Sequence, residues 1–244
     1  FNTKAWIDEK INDVKYVYFA GGEPLIMDEH YYILQRLIDA GRTDVRIRYN
    51  TNLLKLQFKQ YDLVEMWSKF DYVQVNASID DIDARAEYIR AGTVWKDIES
   101  NLQRLTNTSV NLLIDCTTQA MNVLTLPDLY ARLRELGIPA NRIMLHNILQ
   151  QPESFNVKVL SHELKNKAKQ GLYDYANVLP EYEKTAMLQQ IAPLIEFMYT
   201  DTHTDENSLR GHFKVKQTAL DALRKENFTD VFPHLEEWYN GILV

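Results

Sequence analysis

The strongest constraint on the fold is a regular alternation of strand-like and helix-like segments over the first two thirds of the chain. Short runs rich in Val, Ile, Leu and Tyr predict five strands, because each run is bounded by polar or Gly-containing stretches. Strands separated by helical patterns favour right-handed βαβ crossovers and a parallel sheet. The predicted strands span residues 14–20, 45–50, 72–79, 110–118 and 142–149.

The helices between these strands are predicted from capping residues and from apolar spacing. Asp28 is positioned to cap one helix, and Gly41 lies where a left-handed C-terminal residue would end it. Thr93 is positioned to cap another, with apolar residues recurring every three or four positions. That predicted apolar stripe comprises Trp95, Ile98, Leu102 and Leu105.

From about residue 160 the alternation stops, and only helical patterns follow. They lie at residues 162–169, 181–200, 207–225 and 235–239. We therefore expect an α/β part over residues 1–158 and a helical C-terminal extension over 159–244. Because the chain opens on a helical pattern, the strand that should begin a repeating βα series is missing.

Composition excludes some classes of function. The chain has 244 residues and a formal charge of −7, which argues against a dedicated nucleic-acid surface. No apolar run approaches the roughly 20 residues of a membrane span, and no signal peptide is recognisable. We therefore expect a cytoplasmic protein with no membrane or nucleic-acid partner. The single cysteine, Cys116, excludes a cysteine metal cage, and its simplest interpretation is a small core residue.

Polar residues follow every predicted strand, where ligands of parallel α/β proteins bind. Gly21-Gly22-Glu23-Pro24 follows the first strand, which is also compatible with an ordinary turn. Asn52 follows the second strand, and the third ends with Asn76, Ser78 and Asp80. Asp80 and the acidic residues after it are equally compatible with helix capping. Further along, Arg90 is suited to an acidic partner or an anionic ligand, and Asp115 lies on the fourth strand.

Four segments of the chain, in their order and spacing, resemble radical S-adenosylmethionine (SAM) enzymes of the twitch type. The resemblance covers nearly the whole chain. The matching segments are Gly21-Gly22-Glu23-Pro24, Tyr49-Asn50-Thr51-Asn52, Ser78-Ile79-Asp80 through Trp95, and the tail with Leu209-Arg210-Gly211 and Phe232-Pro233. The resemblance implies a partial (β/α)6 TIM-like barrel that lacks its first strand, with SAM lying across the strand ends.

The resemblance also implies roles for individual residues. Carbonyls of Gly21, Gly22, Glu23 and Pro24 would accept the methionine ammonium of SAM. Ser78 and Arg90 would bind its carboxylate, while Asn52 and Asp80 are candidates for the ribose hydroxyls. Apolar groups near Ile148 would support adenine.

One departure from the family is large. Radical SAM enzymes hold a [4Fe–4S] cluster through Cys-x3-Cys-x2-Cys, and one cysteine cannot supply three thiolates. The sequence therefore predicts no catalytic residue, metal ligand or auxiliary cluster in this chain. We expect a longer parent to carry the cluster loop before Phe1, so that these residues form an N-terminally truncated, inactive portion.

The first hypothesis is that the parent cleaves SAM reductively and uses the 5′-deoxyadenosyl radical to abstract hydrogen from a substrate, such as a peptide. The second is a clusterless module that binds SAM, another nucleotide or a protein. The third is an unrelated α/β barrel enzyme in which Gly21-Gly22-Glu23-Pro24 is coincidental. A missing first strand would also expose a sheet edge, through which two copies can dimerise.

Overall fold

The computed structural model describes residues 3–243, apart from the side chain of His146. Seven strands are described: β1 (Tyr16–Phe19), β2 (Arg46–Thr51), β3 (Gln57–Phe58), β4 (Tyr61–Asp62), β5 (Val73–Ser78), β6 (Asn111–Thr118) and β7 (Ile143–Ile148). The five predicted strands correspond to β1, β2, β5, β6 and β7, and their ends differ from the prediction by at most two residues. The short β3 and β4, which pair antiparallel, escaped prediction because two-residue strands carry no periodicity.

Helices fill the intervals between the strands and the whole C-terminal third of the described chain. They are α1 (Thr3–Lys10), α2 (Asp28–Asp39), α3 (Leu63–Trp67), α4 (Asp83–Ile89), α5 (Trp95–Thr106), α6 (Leu126–Glu135), α7 (His162–Asn177), α8 (Glu181–Met198), α9 (Glu206–Arg224), α10 (Phe228–Val231) and α11 (Glu236–Asn240). No described helix combines the length and the apolar character that spanning a bilayer requires. The expected mixed α/β class, with a mostly parallel sheet, is confirmed.

The predicted helix ends were partly wrong. Met27, not Asp28, caps α2, and Val94, not Thr93, caps α5. Neither Met27 nor Val94 makes a side-chain capping hydrogen bond. Burial of the apolar face of each helix therefore outweighs the capping preference. The C-terminal signal was right: Gly41 has φ of +67° and donates its amide to Ile38 O. The predicted apolar stripe of α5 is buried as expected.

The described residues cluster into two compact units that interleave along the chain. The first comprises residues 3–79, 94–115 and 136–138; the second comprises 80–93, 116–135 and 139–243. The predicted boundary at 158 is not a boundary of these units. The division into a barrel and a helical extension stays a prediction, as does the barrel itself.

The first unit contains four parallel strands in the order β1, β2, β5, β6. Only the part of β6 up to Asp115 belongs to this unit. One sheet face is apolar and packs on helices. Tyr49 of β2 is fully buried, accepts or donates a 2.8 Å hydrogen bond with His30 of α2, and contacts Trp67 of α3. This packing explains why β2 and β5 alternate between apolar and polar residues.

The opposite face of this sheet carries polar side chains. We call it the polar face, comprising Arg48, Asn50, Gln74, Asn76, Ser78 and Asp115. Gln74 Nε2 donates to Asn76 Oδ1 over 2.8 Å, and Asn76 Nδ2 donates to Asp115 Oδ2 over 2.9 Å. The partner that the buried Asn76 requires is therefore a neighbouring strand's carboxylate.

The second unit contains the end of β6 beside β7, together with α4, α6 and the C-terminal helices. Leu149 N donates to Thr118 O over 2.9 Å at the end of these two strands. A buried aromatic cluster joins α9, α10 and α11 to α4, which explains the aromatic residues of the tail. Its members are Tyr88, Phe213, Phe228, Phe232 and Tyr239.

Candidate functional site

The turn after β1 is built around the carboxylate of Glu23. Gly21 and Gly22 have φ of +82° and +57°, a region that glycine enters without strain. Glu23 Oε1 then accepts the Leu25 amide at 3.1 Å and caps the short 3-10 helix Pro24–Ile26. A Cβ placed on either glycine would meet no atom within 4 Å, so the turn leaves space beside its main chain.

The same carboxylate ties this turn to the end of β2. Thr51 Oγ1 donates to Glu23 Oε1 over 2.6 Å, and Asn52 N donates to Glu23 Oε2 over 2.8 Å. Asn52 Oδ1 in turn accepts the Leu54 amide. The structure therefore brings together Glu23 and Asn52, two of the predicted site residues. Both side-chain oxygens of Glu23 therefore serve the fold.

Ser78 is the last residue of β5 and the remaining predicted site residue of the first unit. It is half-buried, and its hydroxyl makes no hydrogen bond to a residue that the structure describes. Its pairing partner on β6 is Asp115. A hydroxyl without a protein partner at a strand end is suited to donate to an anionic group of a ligand.

In the second unit, Asp80 and Arg90 form an ion pair. Arg90 Nε donates to Asp80 Oδ2 over 2.6 Å, while Asp80 Oδ1 accepts the Thr117 amide at 2.8 Å. Asp80 is buried, whereas the Arg90 side chain is 38% exposed. The terminal nitrogens of Arg90 make no hydrogen bond to a described residue. Asp80 therefore holds the guanidinium by one nitrogen and leaves its outer edge for an anion.

Asn122 supports this ion pair and was missed by the sequence analysis. It is fully buried, and its Nδ2 donates to Asp80 O over 2.8 Å and to Thr117 O over 3.0 Å. Its Oδ1 accepts the Gln119 amide. An Asn within the apolar run around it could have signalled a structural amide, because buried polar groups require partners.

The next carboxylate, Asp81, does not cap a helix as the alternative interpretation supposed. The N-cap of α4 is Ile82, which makes no side-chain capping hydrogen bond. Asp81 instead accepts hydrogen bonds from the Ile82 amide at 2.8 Å, from Arg85 Nε at 3.0 Å and from Thr125 Oγ1 at 2.6 Å. Burial raises the pKa of Asp81 to about 6, although the neighbouring Arg85 acts in the opposite direction.

Cys116 does not fit the role of a cluster ligand. It is fully buried in the second unit, and burial raises the pKa of its thiol well above the usual value. The thiol is therefore protonated at neutral pH, whereas iron–sulfur clusters bind thiolates. Among residues 3–243, excluding the His146 side chain, no group of three or more His, Cys, Asp or Glu residues is arranged to hold a metal ion.

The fold resembles that of a solved SAM-bound protein. The chain matches the crystal structure of Streptococcus suis SuiB bound to S-adenosylmethionine, with a TM-score of 0.51 and 16% sequence identity over 72% of this chain. The match covers 39% of the SuiB chain, so these residues span about two fifths of its length. No family model and no curated protein sequence matches the chain. At this identity, the similarity establishes a shared α/β fold.

Proposed function

We propose that this chain is the SAM-binding portion of a radical SAM enzyme. Two independent observations support the proposal. The ordered sequence motifs resemble that family, and the fold is similar to a structure determined with SAM bound. The agreement between motifs and fold carries the most weight. At 16% identity, the fold comparison does not depend on the sequence motifs.

We assign to the predicted residues the tasks that the resemblance implies. Carbonyls of residues 21–24 would accept the methionine ammonium of SAM, those of Glu23 and Pro24 through lone pairs beside the backbone amides that they already accept. The resemblance assigns the methionine carboxylate to Ser78 and Arg90, and neither the Ser78 hydroxyl nor the terminal nitrogens of Arg90 make a hydrogen bond to a described residue. Asn52 and Asp80 remain the candidates for the ribose hydroxyls. Asp80 has little exposure, and each of its carboxylate oxygens already accepts one hydrogen bond. A ribose hydroxyl would have to donate to a remaining lone pair of this carboxylate.

The iron–sulfur cluster does not fit these residues. When bound, such a cluster supplies the electron that cleaves SAM, but the only cysteine here is a buried, protonated thiol. We therefore assign no radical step to the 244 residues. The whole enzyme's substrate, such as a peptide, would be acted on with a cluster held by other residues. The lack of a cluster-binding set of cysteines equally favours the second candidate, a module that binds SAM without turnover.

Calorimetric titration of the purified chain with SAM tests the proposal. We expect saturable binding that Arg90→Ala weakens by about tenfold or more, because a charge-assisted contact to the carboxylate is lost. Arg132→Ala is the matched control, since Arg132 also pairs with a carboxylate but lies on the surface of α6. Absence of SAM binding, or equal effects of the two variants, contradicts the proposed site.

Reconstitution with iron and sulfide tests whether this chain can hold a cluster, which neither candidate predicts. We expect no cluster absorbance, because these residues offer no set of thiolates. A stoichiometric [4Fe–4S] centre in this chain would overturn the ligand assignment. If the isolated chain binds SAM and a longer protein containing it does not cleave SAM, the clusterless module is the better description.

A further inference from the structure

The C-terminal helices of the second unit surround a cavity of about 500 Å³. Its walls come from α7, from the first turns of α9, and from α11 with the residues that follow it. Cavities of this size between helices are common sites for small organic ligands. None of the residues assigned above to SAM lines this cavity.

The cavity is also where the two tail segments singled out in the sequence meet. Arg210 comes from the segment Leu209-Arg210-Gly211, and His234 directly follows Phe232-Pro233. The buried aromatic cluster accounts for Phe232, but it does not account for a charged residue in the lining. The contacts of Arg210 therefore decide what this cavity can bind.

Arg210 lines the cavity and keeps one nitrogen available. Its Nε donates to Val159 O over 2.7 Å, and its Nη2 donates to Glu206 Oε2 over 2.7 Å. The remaining nitrogen, Nη1, makes no hydrogen bond to a described residue. A guanidinium that is fixed by two of its nitrogens is positioned to donate from the third to an anionic group.

A second cation, Lys165 of α7, lies close to Arg210. It is 6% exposed, and its ammonium makes no hydrogen bond or ion pair to a described residue. Burial lowers the pKa of Lys165, and the nearby Glu206 acts in the opposite direction. Arg210 and Lys158 lower this pKa further. Since Glu206 already pairs with Arg210, positive charge exceeds negative charge among these four residues.

The indole of Trp238 on α11 lines the cavity as well. Its Nε1 is buried and has no hydrogen-bond partner among the described residues. The ring centroid lies 5.3 Å from that of Phe213, so the aromatic cluster positions the indole. An unsatisfied buried donor is unfavourable, and an acceptor on a bound ligand would satisfy it.

The acidic residues of the lining do not oppose an anionic ligand. Glu163 Oε1 pairs with Lys167 Nζ at 2.7 Å, and both side chains are exposed. Glu237 is exposed to water, and it raises the pKa of the same Lys167. The buried groups without a partner, Lys165 and Trp238, are both donors, so they select an acceptor.

Apolar side chains form another part of the lining, namely Leu164, Ile242 and Leu243. Lys214 Nζ donates to Ile242 O over 2.9 Å and holds this last segment against α9. Leu243 is nevertheless 92% exposed. A ligand that covers these side chains therefore carries an apolar body beside its anionic group.

We propose that this cavity binds a small carboxylic acid with an apolar body, such as a medium-chain aliphatic acid. Arg210 and Trp238 donate to the carboxylate, and Lys165 adds positive charge beside it. The aliphatic part covers Leu164 and the segment 242–243. This site goes beyond the proposed function and does not depend on it, since none of its residues is assigned to SAM.

Calorimetric titration of the wild-type chain with octanoate, octanamide and acetate tests the proposal. Octanamide keeps the aliphatic chain without the charge, and acetate keeps the charge without the chain. We expect saturable binding of octanoate that is at least about tenfold tighter than that of either other compound. No binding of octanoate, or binding no tighter than that of octanamide or acetate, overturns the proposal. This comparison does not depend on any variant folding.

The indole N–H signals of the isotope-labelled chain locate the bound acid. We expect octanoate to shift the Trp238 signal, which is identified by its loss in Trp238→Phe. Trp67 is the internal control, because its buried Nε1 also has no partner among the described residues but belongs to the first unit. A Trp238 signal that stays in place at saturation shows that the acid binds elsewhere and that the proposal is wrong.

Arg210→Gln should weaken octanoate binding by about tenfold or more and change octanamide binding little, because the charge-assisted contact is lost. Arg134→Gln is the matched control, since Arg134 Nε also donates to a carboxylate of the second unit, Glu183, but does not line the cavity. Equal effects of the two variants contradict the site. We also expect SAM to leave octanoate binding unchanged, and displacement by SAM would place octanoate in the SAM site and overturn the proposal.

Discussion

The carboxylate of Glu23 accepts the backbone amide of Asn52 over 2.8 Å, which joins the turn after β1 to the end of β2. These residues are 29 positions apart in the chain, and both belong to the segments that resemble radical SAM enzymes. Glu23 thereby shapes the turn whose carbonyls we propose as ligands.

We expect Glu23→Gln to destabilise the chain by about 1–2 kcal/mol, because one side-chain oxygen becomes an amide nitrogen that cannot accept a hydrogen bond. Either Asn52 N or the donors to Oε1 then lose their acceptor. Urea denaturation gives the change in the free energy of unfolding. Glu29→Gln is the control, since Glu29 is exposed on α2. A similar stability for the two variants contradicts this role of Glu23.

The stability of the chain should depend on the protonation of Asp81. Burial raises its pKa in the folded state to about 6, above the ordinary aspartate value of 3.8. Between these two values the folded state holds the proton more tightly than the unfolded state. Stability from this group is therefore complete below about pH 4 and is lost as the pH rises through about 6, by on the order of 2 kcal/mol.

Urea denaturation of wild type and Asp81→Asn across this pH range measures the effect. We expect the stability difference between them to change by that amount between about pH 4 and pH 7, whatever its absolute size. Other titrating groups cancel in the difference, because they are common to both proteins. A difference that is constant with pH would show that Asp81 does not titrate in this range.

The hydrogen bond between Tyr49 and His30 should stabilise the first unit. Both side chains are buried, and burial lowers the pKa of His30 to about 3, so the ring is neutral at physiological pH. Tyr49→Phe removes the partner of His30 Nε2, and we expect a loss of about 1–2 kcal/mol in unfolding free energy. Tyr16→Phe, at an exposed position, should be nearly neutral. Equal melting temperatures for the two variants would argue against the buried bond.

The predicted dimerisation involves β1, which is the edge strand of the first unit. If two copies pair through this edge, Tyr16→Lys should raise the dimer dissociation constant by about tenfold or more, because charge on an edge strand opposes strand pairing. Light scattering over a range of concentrations measures it. Tyr182→Lys, at another exposed tyrosine, is the control. A wild-type protein that stays monomeric at all concentrations removes the prediction.

Local patterns were sufficient for much of the fold. The five main strands, the apolar stripe of α5 and the left-handed Gly41 depend on periodicity and on backbone sterics, which the sequence displays directly. The caps of α2 and α5 were wrong by one residue, since tertiary packing decided where those helices begin. For the candidate site, the sequence indicated which residues are unusual but not what each one contacts.

The sequence by itself determined the α/β alternation, the absence of a cysteine set and the polar character of the strand ends, because these depend only on residue type and order. Only the tertiary structure decided that Glu23 binds Asn52, that Asp80 holds Arg90 and that Asp115 accepts the Asn76 amide. Hydrogen bonds act over about 3 Å, whereas the partners are up to 29 residues apart in the first two pairs. Such pairings follow from strand register and helix packing.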